Sequence, residues 1–255
     1  MRDYRLSVLE DVAGAYLRRL HNRTRATFVP SPDAMSRLLA LGFNNLRLLG
    51  RGVDTVHFDP AKRSERLRAT WGAGEDDTVA LYVGRLAPEK NLPLAMRAFE
   101  AMARHEDSLG RNFQAVLVGD GPLRAELKVA AGHCHFAGMR TGEDLAVHFA
   151  SADVFIFPST TETFGNVIIE AMASGLVTVA YNYAAARLHL QHQANGLSAT
   201  MNDEPEFLAP CIDALDRARW PEWRREARLA ASRLLWSAVV TRFESDLLQI
   251  LGRAD

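Results

Sequence analysis

The sequence is poor in cysteine and has no long apolar run. Its 255 residues include two cysteines, Cys134 and Cys211, which lie far apart and lack the spacing of a metal-binding motif. This favours reduced thiols in a cytoplasmic protein over a disulfide framework. No apolar stretch reaches the roughly 18 residues of a membrane-spanning helix, and the N-terminus is too polar for a signal peptide. We therefore expect any membrane contact to be peripheral.

The sequence also lacks an excess of charge of one sign. It has 30 basic and 31 acidic residues, so its net charge gives no argument for a nucleic-acid partner. A local basic cluster ends the predicted first helix and comprises Arg18, Arg19, His21, Arg23 and Arg25. This cluster could meet anionic lipid at the inner membrane surface. Positive charges also suit the C-terminal end of a helix, and we prefer that interpretation.

Two common phosphate-binding signatures are missing. No predicted strand is followed by G-x-G-x-x-G, and the P-loop pattern is absent, which disfavours a dinucleotide-dependent oxidoreductase or another phosphate-binding α/β enzyme. We also find no internal repeat and no low-complexity linker. The composition, with 48% hydrophobic and 24% charged residues, is that of a soluble globular protein with enough apolar material for a full core.

The sequence does contain a regular alternation of apolar and amphipathic segments. Almost unbroken apolar runs at 78–83 and 154–157 are typical of parallel strands covered on both faces. The remaining strands are predicted from residue 26 and at 46–49, 114–118, 135–136 and 177–180. Helices are predicted at 1–23, 62–71, 91–104, 123–130 and 143–149, near 165, and from 204 onward. This alternation predicts an α/β fold with a doubly wound parallel sheet, Rossmann-like, with right-handed crossovers.

The stretch 158–181, PSTTETFGNVIIEAMASGLVTVAY, leads from one buried strand to the next. It reads as a polar loop with Glu162, then a helix that opens near Gly165 and carries Glu170. This order places the loop and the helix N-terminus at the carboxyl edge of the sheet, where unpaired N–H groups favour an anionic ligand. The two carboxylates should contact different parts of one ligand. From their spacing alone, both could equally be solvated surface residues.

Two cations follow the strand at 78–83. Arg85 lies at its end and Lys90 at the start of the next helix, so that both side chains can converge above the sheet edge. Such a pair would hold a diphosphate, through a forked contact from arginine and a point charge from lysine. The turn VGDGP at 118–122 adds Gly119 and Gly121, which are weak evidence alone because D-G-P is a common strand-to-helix turn.

Together, three segments carry a resemblance to a known family. GRLAPEKN at 84–91, VGDGP at 118–122, and ETFGNVIIE at 162–170 followed by AMASG resemble the donor-binding half of retaining glycosyltransferases of the GT-B fold, family 4. The resemblance extends more weakly over 24–251. It implies that this chain is the C-terminal lobe of such an enzyme, and that an N-terminal acceptor lobe is missing because the chain is a fragment or because another chain supplies it.

The resemblance implies a role for each site residue. Arg85 and Lys90 would hold the nucleotide diphosphate and stabilise it as the leaving group. Glu170 would accept hydrogen bonds from the ribose hydroxyls. Glu162 would orient the donor sugar or stabilise an oxocarbenium-like transition state. The further donor-binding residues that it implies are Gly119, Gly121, Met139, Arg140, Phe164, Gly165 and Asn166. Among these, Met139 and Arg140 would lie near the base, and the backbone of 164–166 would meet the sugar or the phosphates.

The implied activity is transfer of a hexose from a nucleoside-diphosphate sugar to an acceptor hydroxyl. The segment YAAAR at 183–187 resembles a bacterial subgroup associated with lipid and polyol acceptors. The alternative is a non-catalytic nucleotide-binding regulatory module, against which the intact Arg85, Lys90, Glu162 and Glu170 argue. The isolated lobe is expected to be inactive, because the acceptor would be held by the facing lobe.

No metal or other cofactor is expected, since the resembled family neutralises its leaving diphosphate with protein cations and helix dipoles. Two histidine pairs were considered as metal ligands, His133 with His135 on one strand and His189 with His192 on one helix, but neither has an evident third ligand. We expect three regions: a helix at 1–23 that connects to the missing lobe, a nucleotide-sugar-binding domain at 24–236, and a helix at 237–255 that crosses to the partner lobe.

Overall fold

The computed structural model of the chain describes residues 2–161 and 165–252, and only the backbone of residues 2–11. The helices are α1 (Arg2–His21), α2 (Pro32–Ala40), α3 (Glu65–Thr70), α4 (Leu92–Ser108), α5 (Arg124–Ala130), α6 (Gly142–Ala150), α7 (Asn166–Ala173), α8 (Ala184–His189), α9 (Glu204–Asp213), α10 (Trp220–Ala231) and α11 (Trp236–Ile250). The strands are β1 (Thr27–Val29), β2 (Leu46–Leu48), β3 (Thr78–Val83), β4 (Phe113–Val118), β5 (His135–Gly138), β6 (Val154–Phe157), β7 (Val177–Tyr181) and β8 (Leu197–Ala199).

The contacts divide the chain into two compact units. One is Val53–Leu235, and the other joins the residues before Val53 to those after Leu235. The predicted division into 1–23, 24–236 and 237–255 stays a prediction, because it assigns each terminal helix to a lobe that is not part of this chain.

The larger unit is built on a six-stranded parallel sheet in the order β5-β4-β3-β6-β7-β8. The chain runs outward from β3 to β5 and then returns to place β6 on the other side of β3. This reversal makes a switch point between β3 and β6, and parallel sheets of this kind leave a crevice there at their carboxyl ends. The predicted doubly wound α/β fold is confirmed.

The core of this unit lies on both faces of the sheet. Every residue of β3, β6 and β7 is buried, which explains why their sequences are unbroken apolar runs rather than alternating ones. On α4, the buried residues include Leu92, Ala95, Phe99 and Met102, which recur at helical spacing and so turn one face toward the sheet. These buried faces fix the strand ends, and with them the loops at the carboxyl edge.

Some elements differ from the expectation. The strand β8 was not predicted. The helix α8 ends at His189, so the prediction that His189 and His192 share one helix was wrong. The Asn195 side chain ends it, since it donates to the His189 carbonyl at 3.0 Å and accepts from the Gln191 amide at 2.7 Å. Likewise His133 precedes β5 instead of sharing a strand with His135.

The smaller unit has its own parallel pair, β1 with β2. Arg47 on β2 is 2.8 Å from Asp246 on α11, and the rings of Phe28 and Phe243 meet edge to face at 4.9 Å. In the basic cluster, Arg18 donates to the carbonyl of Leu41 at 3.1 Å, just after α2. None of the helices among the described residues is both long enough and apolar enough to cross a membrane.

Candidate functional site

The carboxyl edge of the sheet is formed by backbones that touch one another. The Gly84 amide donates to the Val118 carbonyl at 3.0 Å, and the Gly119 amide donates to the Gly138 carbonyl at 2.8 Å. A Cβ atom on Gly119, whose φ is +140°, would lie 1.9 Å from the Gly84 oxygen, and one on Gly121 would lie 2.3 Å from the Leu86 oxygen. No side chain fits at either position. The packing of the protein's own loops thus requires both glycines, and their predicted approach to a nucleotide stays a prediction.

A cavity of about 390 Å³ opens beside these glycines. Arg85, Gly119, Met139 and Arg140, all predicted donor-binding residues, line it together with Asp120. The Arg140 guanidinium is held in place, since it donates to the Ala137 carbonyl at 3.0 Å and to Asp144 at 2.9 Å. The cavity is of the size that small-molecule sites have in proteins. It therefore brings the predicted base-binding pair next to one of the two predicted diphosphate ligands.

Lys90 ends a short 3-10 turn, Pro88–Lys90, and reaches across the switch point. Its Nζ lies 3.1 Å from the carbonyl oxygen of Thr161 and 3.4 Å from the Ser159 hydroxyl, which follow β6. The same ammonium group is 5.6 Å from the centre of the Phe157 ring. The loops after β3 and β6 are thus joined by Lys90.

Arg85 is placed differently from Lys90. Its side chain is 67% exposed and lies 3.7 Å from Glu89, a weak contact at the surface. The two cations occupy the ends of one loop, and both lie at the carboxyl edge. This agrees with the sheet-edge placement expected from their spacing, while their joint contact with a diphosphate stays a prediction.

The helix α7 begins at this edge and carries Glu170 in its middle. Burial raises the pKa of the Glu170 carboxyl to about 7. No described residue donates a hydrogen bond to this carboxylate or pairs with it. In the first turn of the same helix, the side-chain oxygen of Asn166 is buried without a hydrogen-bond donor among the described residues. Two oxygen acceptors on one helix are therefore left for donors that a ligand would bring, and sugar hydroxyls are such donors.

Gly165 caps α7 with a left-handed backbone, at φ +61°. A Cβ atom there would lie 2.4 Å from the Cβ of Ala185 on α8. The glycine thus lets the start of α7 approach the segment YAAAR. The predicted residues Glu162 and Phe164 lie outside the described residues, so the assignment of Glu162 as a catalytic group stays a prediction.

Sequence reasoning missed Ser159 and Thr161 as neighbours of Lys90. The signal was present, because a run of hydroxyl side chains directly follows a buried strand at the carboxyl edge.

On metals, the described part of the chain holds no cluster of three histidine, cysteine, aspartate or glutamate residues suited to an ion. Both cysteines are free and buried, and burial raises the pKa of Cys134 to about 12.

Comparison with known proteins gives the family. The model of the family "Glycosyl transferases group 1" matches residues 77–217, more than half of the chain. A GDP-mannose-dependent alpha-mannosyltransferase of Mycolicibacterium smegmatis is 38% identical over 252 residues, which are 98% of this chain and 64% of that protein. The sulfoquinovosyl transferase SQD2 of Arabidopsis thaliana is 35% identical over 254 residues, covering 95% of this chain and 48% of that protein. The chain thus spans about half to two thirds of the length of these relatives.

Solved structures agree on the fold. Anabaena HepE in complex with UDP and glucose superimposes with a TM-score of 0.79 at 21% identity, over 92% of this chain and 66% of that one. Sucrose-phosphate synthase from Thermosynechococcus elongatus superimposes with a TM-score of 0.78 at 22% identity, over 96% of this chain and 63% of that one. The chain therefore belongs to the group 1 glycosyltransferases, and its fold is that of one lobe of a GT-B enzyme.

Proposed function

We propose that this chain is the donor-binding half of a retaining hexosyltransferase, and that its donor is GDP-mannose. The observation that carries the proposal is the carboxyl edge of the sheet. A cavity beside Arg85, the ammonium group of Lys90 and the carboxylate of Glu170, with which no described residue pairs, share one switch point there. The choice of donor rests on relatives from Mycolicibacterium, Corynebacterium and Mycobacterium that are named GDP-mannose-dependent alpha-mannosyltransferases and are 38%, 31% and 36% identical to this chain.

In this proposal the donor lies across the crevice from base to sugar. The base occupies the cavity beside Met139 and Arg140, and the ribose hydroxyls donate to Glu170. Lys90 and Arg85 contact the diphosphate. When the bond between the anomeric carbon and the diphosphate oxygen breaks, its electron pair goes to that oxygen, and the two cations stabilise the negative charge that develops there. The sugar end would then point toward the loop that carries Glu162.

The acceptor that we propose is a hydroxyl group of a lipid or polyol. This is supported by a relative from Mycobacterium tuberculosis, a GDP-mannose-dependent alpha-(1-6)-phosphatidylinositol monomannoside mannosyltransferase, which is 34% identical over 203 residues, 73% of this chain. The segment YAAAR agrees with it. A lipid acceptor would place the protein at the cytoplasmic surface of a membrane, where the basic cluster at the end of α1 could contribute contacts to anionic lipid.

We further propose that the lobe alone binds the nucleotide but transfers no sugar. The acceptor hydroxyl has to be held about 3–3.5 Å from the anomeric carbon, and such positioning supplies roughly 7–11 kcal/mol of barrier lowering. None of the donor-site residues named above does this. Both the reaction and its retaining stereochemistry would then require an acceptor lobe that faces this crevice.

The test is calorimetric titration of the purified chain with GDP, GDP-mannose and UDP. Binding of GDP, weakened in Lys90→Ala and in Arg85→Ala but not in the exposed control Arg104→Ala, is the expected result. Sugar transfer should appear only when the N-terminal half of the Mycolicibacterium smegmatis relative is added in trans or fused to this chain. Turnover by the lobe alone would contradict the half-enzyme proposal, and failure to bind any nucleotide would contradict the donor site.

The alternative, a non-catalytic regulatory module, makes a different prediction for the fused protein. Such a module would bind GDP-mannose and yield no glycoside with any lipid or polyol acceptor, even with the second lobe present. The carboxylate of Glu170, which has no partner among the described residues, and the loops joined by Lys90 favour the enzyme.

A further inference from the structure

The amino edge of the sheet, opposite the proposed donor site, is built around a buried carboxylate. Asp153 immediately precedes β6 and is 2% exposed. One of its oxygens accepts from Arg68 and from the Val79 amide, each at 2.9 Å, and the other accepts from Arg63 and Arg224, each at 3.1 Å. Three guanidinium groups therefore converge on one carboxylate, which can neutralise only one of them.

A cavity of about 310 Å³ lies next to this cluster. Four arginines line it: Arg63, Arg224, Arg225 and Arg228. The last three come from α10, where Arg224 and Arg228 are one turn apart and so share a face of the helix. The cavity thus combines several forked donors in a small volume.

The charges around this cavity do not balance. With Arg68, five arginines stand against four carboxylates that pair with them, Asp153, Glu65, Asp59 and Glu226, and none of these four lines the cavity. Burial lowers the pKa of Arg224, and the nearby charges of Arg63 and Arg68 lower it further, against the opposing effect of Asp153. Positive charge is therefore in excess on the cavity side, where an anion would relieve the repulsion.

A hydroxyl group in the cavity wall also has no partner. Ser174, directly after α7, is 2% exposed and lines the cavity, and its Oγ makes no hydrogen bond with the described residues. The buried Nε of Arg224 is likewise without an acceptor. Buried polar groups are rarely left in this state. Both can donate, so what the cavity lacks is a group of acceptor oxygens.

We propose that this cavity is a second anion site, which binds inorganic phosphate or a small phosphate monoester. A phosphate group offers several acceptor oxygens in a tetrahedral arrangement, which suits convergent guanidinium forks and one hydroxyl. Arg225 and Arg63 supply the charge, each keeping one ion pair of 2.8 Å, with Glu226 and Glu65, and Ser174 and the Nε of Arg224 supply the two missing hydrogen bonds. Arg228 is already committed, because it donates to the carbonyls of Phe58, Thr55 and Ala173 and to Asp59.

This site is independent of the proposed donor site. The helix α7 separates them, since it begins at Gly165 at the carboxyl edge and ends before Ser174 at the amino edge. The experiment therefore uses the double variant Lys90→Ala, Arg85→Ala, which removes the cations that could hold phosphate at the other edge. Inorganic phosphate and glycerol phosphate are titrated separately by calorimetry, to distinguish the free ion from the monoester.

We expect saturable binding of at least one of the two probes, weakened about tenfold by Arg225→Gln and by Ser174→Ala, since each removes a hydrogen bond to a charged group. Arg104→Gln, an exposed arginine on α4, is the matched control and should leave the affinity unchanged. Both test positions line an open cavity and are expected to fold normally, which the unfolding temperature would verify. Absence of binding at millimolar phosphate would overturn the proposal, and so would an affinity that neither substitution weakens. Neither result bears on GDP binding.

Discussion

Two carboxylates of the larger unit, the buried Asp153 and the half-buried Glu170, have opposite surroundings. Asp153, at the amino edge, accepts hydrogen bonds from three arginines and a backbone amide. Burial alone would raise its pKa, but Arg68, Arg224 and Arg63 outweigh that effect and lower it. Glu170, on α7, has no partner among the described residues, and burial raises its pKa to about 7.

The difference separates a stabilising group from a binding group. A buried charge with a structural role is paired within the folded protein, because leaving it unpaired costs several kcal/mol. The Glu170 carboxylate has no compensating partner among the described residues. Carboxylates with a perturbed pKa in a crevice are typical of sites where a ligand supplies the partner. Asp153 should therefore matter for folding, and Glu170 for binding at some cost to folding.

The largest effect is expected from Asp153→Ala. It leaves Arg68, which is fully buried, without its buried carboxylate partner and with only the longer 3.4 Å contact to the exposed Glu65, and removal of one member of a buried pair costs about 3–5 kcal/mol. Urea denaturation monitored by circular dichroism would measure the free energy of unfolding. Glu100→Ala, which removes an exposed partner of Arg104, is the control and should change it by less than about 1 kcal/mol. A loss no larger than the control's would mean that Asp153 does not hold this edge together.

The wild type and Asp153→Asn should become equally stable in acid. The pKa of Asp153 is lower in the folded state than the ordinary value of 3.8, so its contribution is complete above that pH and is lost as the pH falls through the folded-state pKa. The stability difference between the wild type and Asp153→Asn should thus persist at pH 5 and shrink only below about 3.8.

At the carboxyl edge, Lys90→Ala should weaken GDP binding by about 1.5–3 kcal/mol, the scale of a hydrogen bond to a charged group. Its effect on unfolding should be small, because Lys90 bonds to loop atoms near the surface. Calorimetry and denaturation on the same sample separate the two effects. If Lys90→Ala destabilised the fold and left the GDP affinity unchanged, the role of Lys90 would be to stabilise the fold, as proposed for Asp153.

Glu170→Gln should raise stability while it weakens GDP binding. Ionisation of Glu170 opposes folding as the pH rises from 4.5 to about 7, so removal of the charge should add about 1–2 kcal/mol at pH 8, allowing for its partial exposure. At pH 4 the two proteins should be equally stable. A variant that is less stable at pH 8 would show that the carboxylate has a partner in the fold.

The smallest expected effect is on the pH dependence of binding. In the proposed complex the ribose hydroxyls donate to the ionised carboxylate. Since the Glu170 carboxyl of the free protein is largely protonated at pH 6 and largely ionised at pH 8, GDP affinity should rise by up to about tenfold between these two pH values. The phosphate groups of GDP titrate in a similar range, so Glu170→Gln is the control and should show a weaker dependence. Equal pH profiles for the two proteins would contradict the ribose assignment.

The sheet was predictable because its strands are buried on both faces. The unbroken apolar runs of β3 and β6 mark their positions almost to the residue, and the carboxyl-edge loops follow from them. By contrast, β8 has three residues and no run of its own, so only its pairing with β7 defines it. Local pattern thus locates central strands but not a short edge strand.

The candidate site was predictable to the extent that its residues follow strands. Arg85, Gly119 and Glu170 lie where a strand–loop–helix order places them. The cluster around Asp153 was not predictable, because Arg63 and Arg68 lie far in the sequence from Asp153 and from Arg224. Arg224 reaches the cluster only through the packing of α10 on α7 and β7. The segment YAAAR also gave no sign that Ala184 would adopt a left-handed backbone at φ +48°.

The backbone contact between Gly84 and Gly119 bears on how donor preference in this protein could be redesigned. In a saturation library, both Gly119 and Gly121 would be depleted under selection for folding alone, so their intolerance would carry no information about the sugar or the base. The permissive positions are on the other wall, where Met139 is 70% exposed. A library designed for a new nucleotide should therefore vary Met139 and its neighbours and keep Gly119 and Gly121 unchanged.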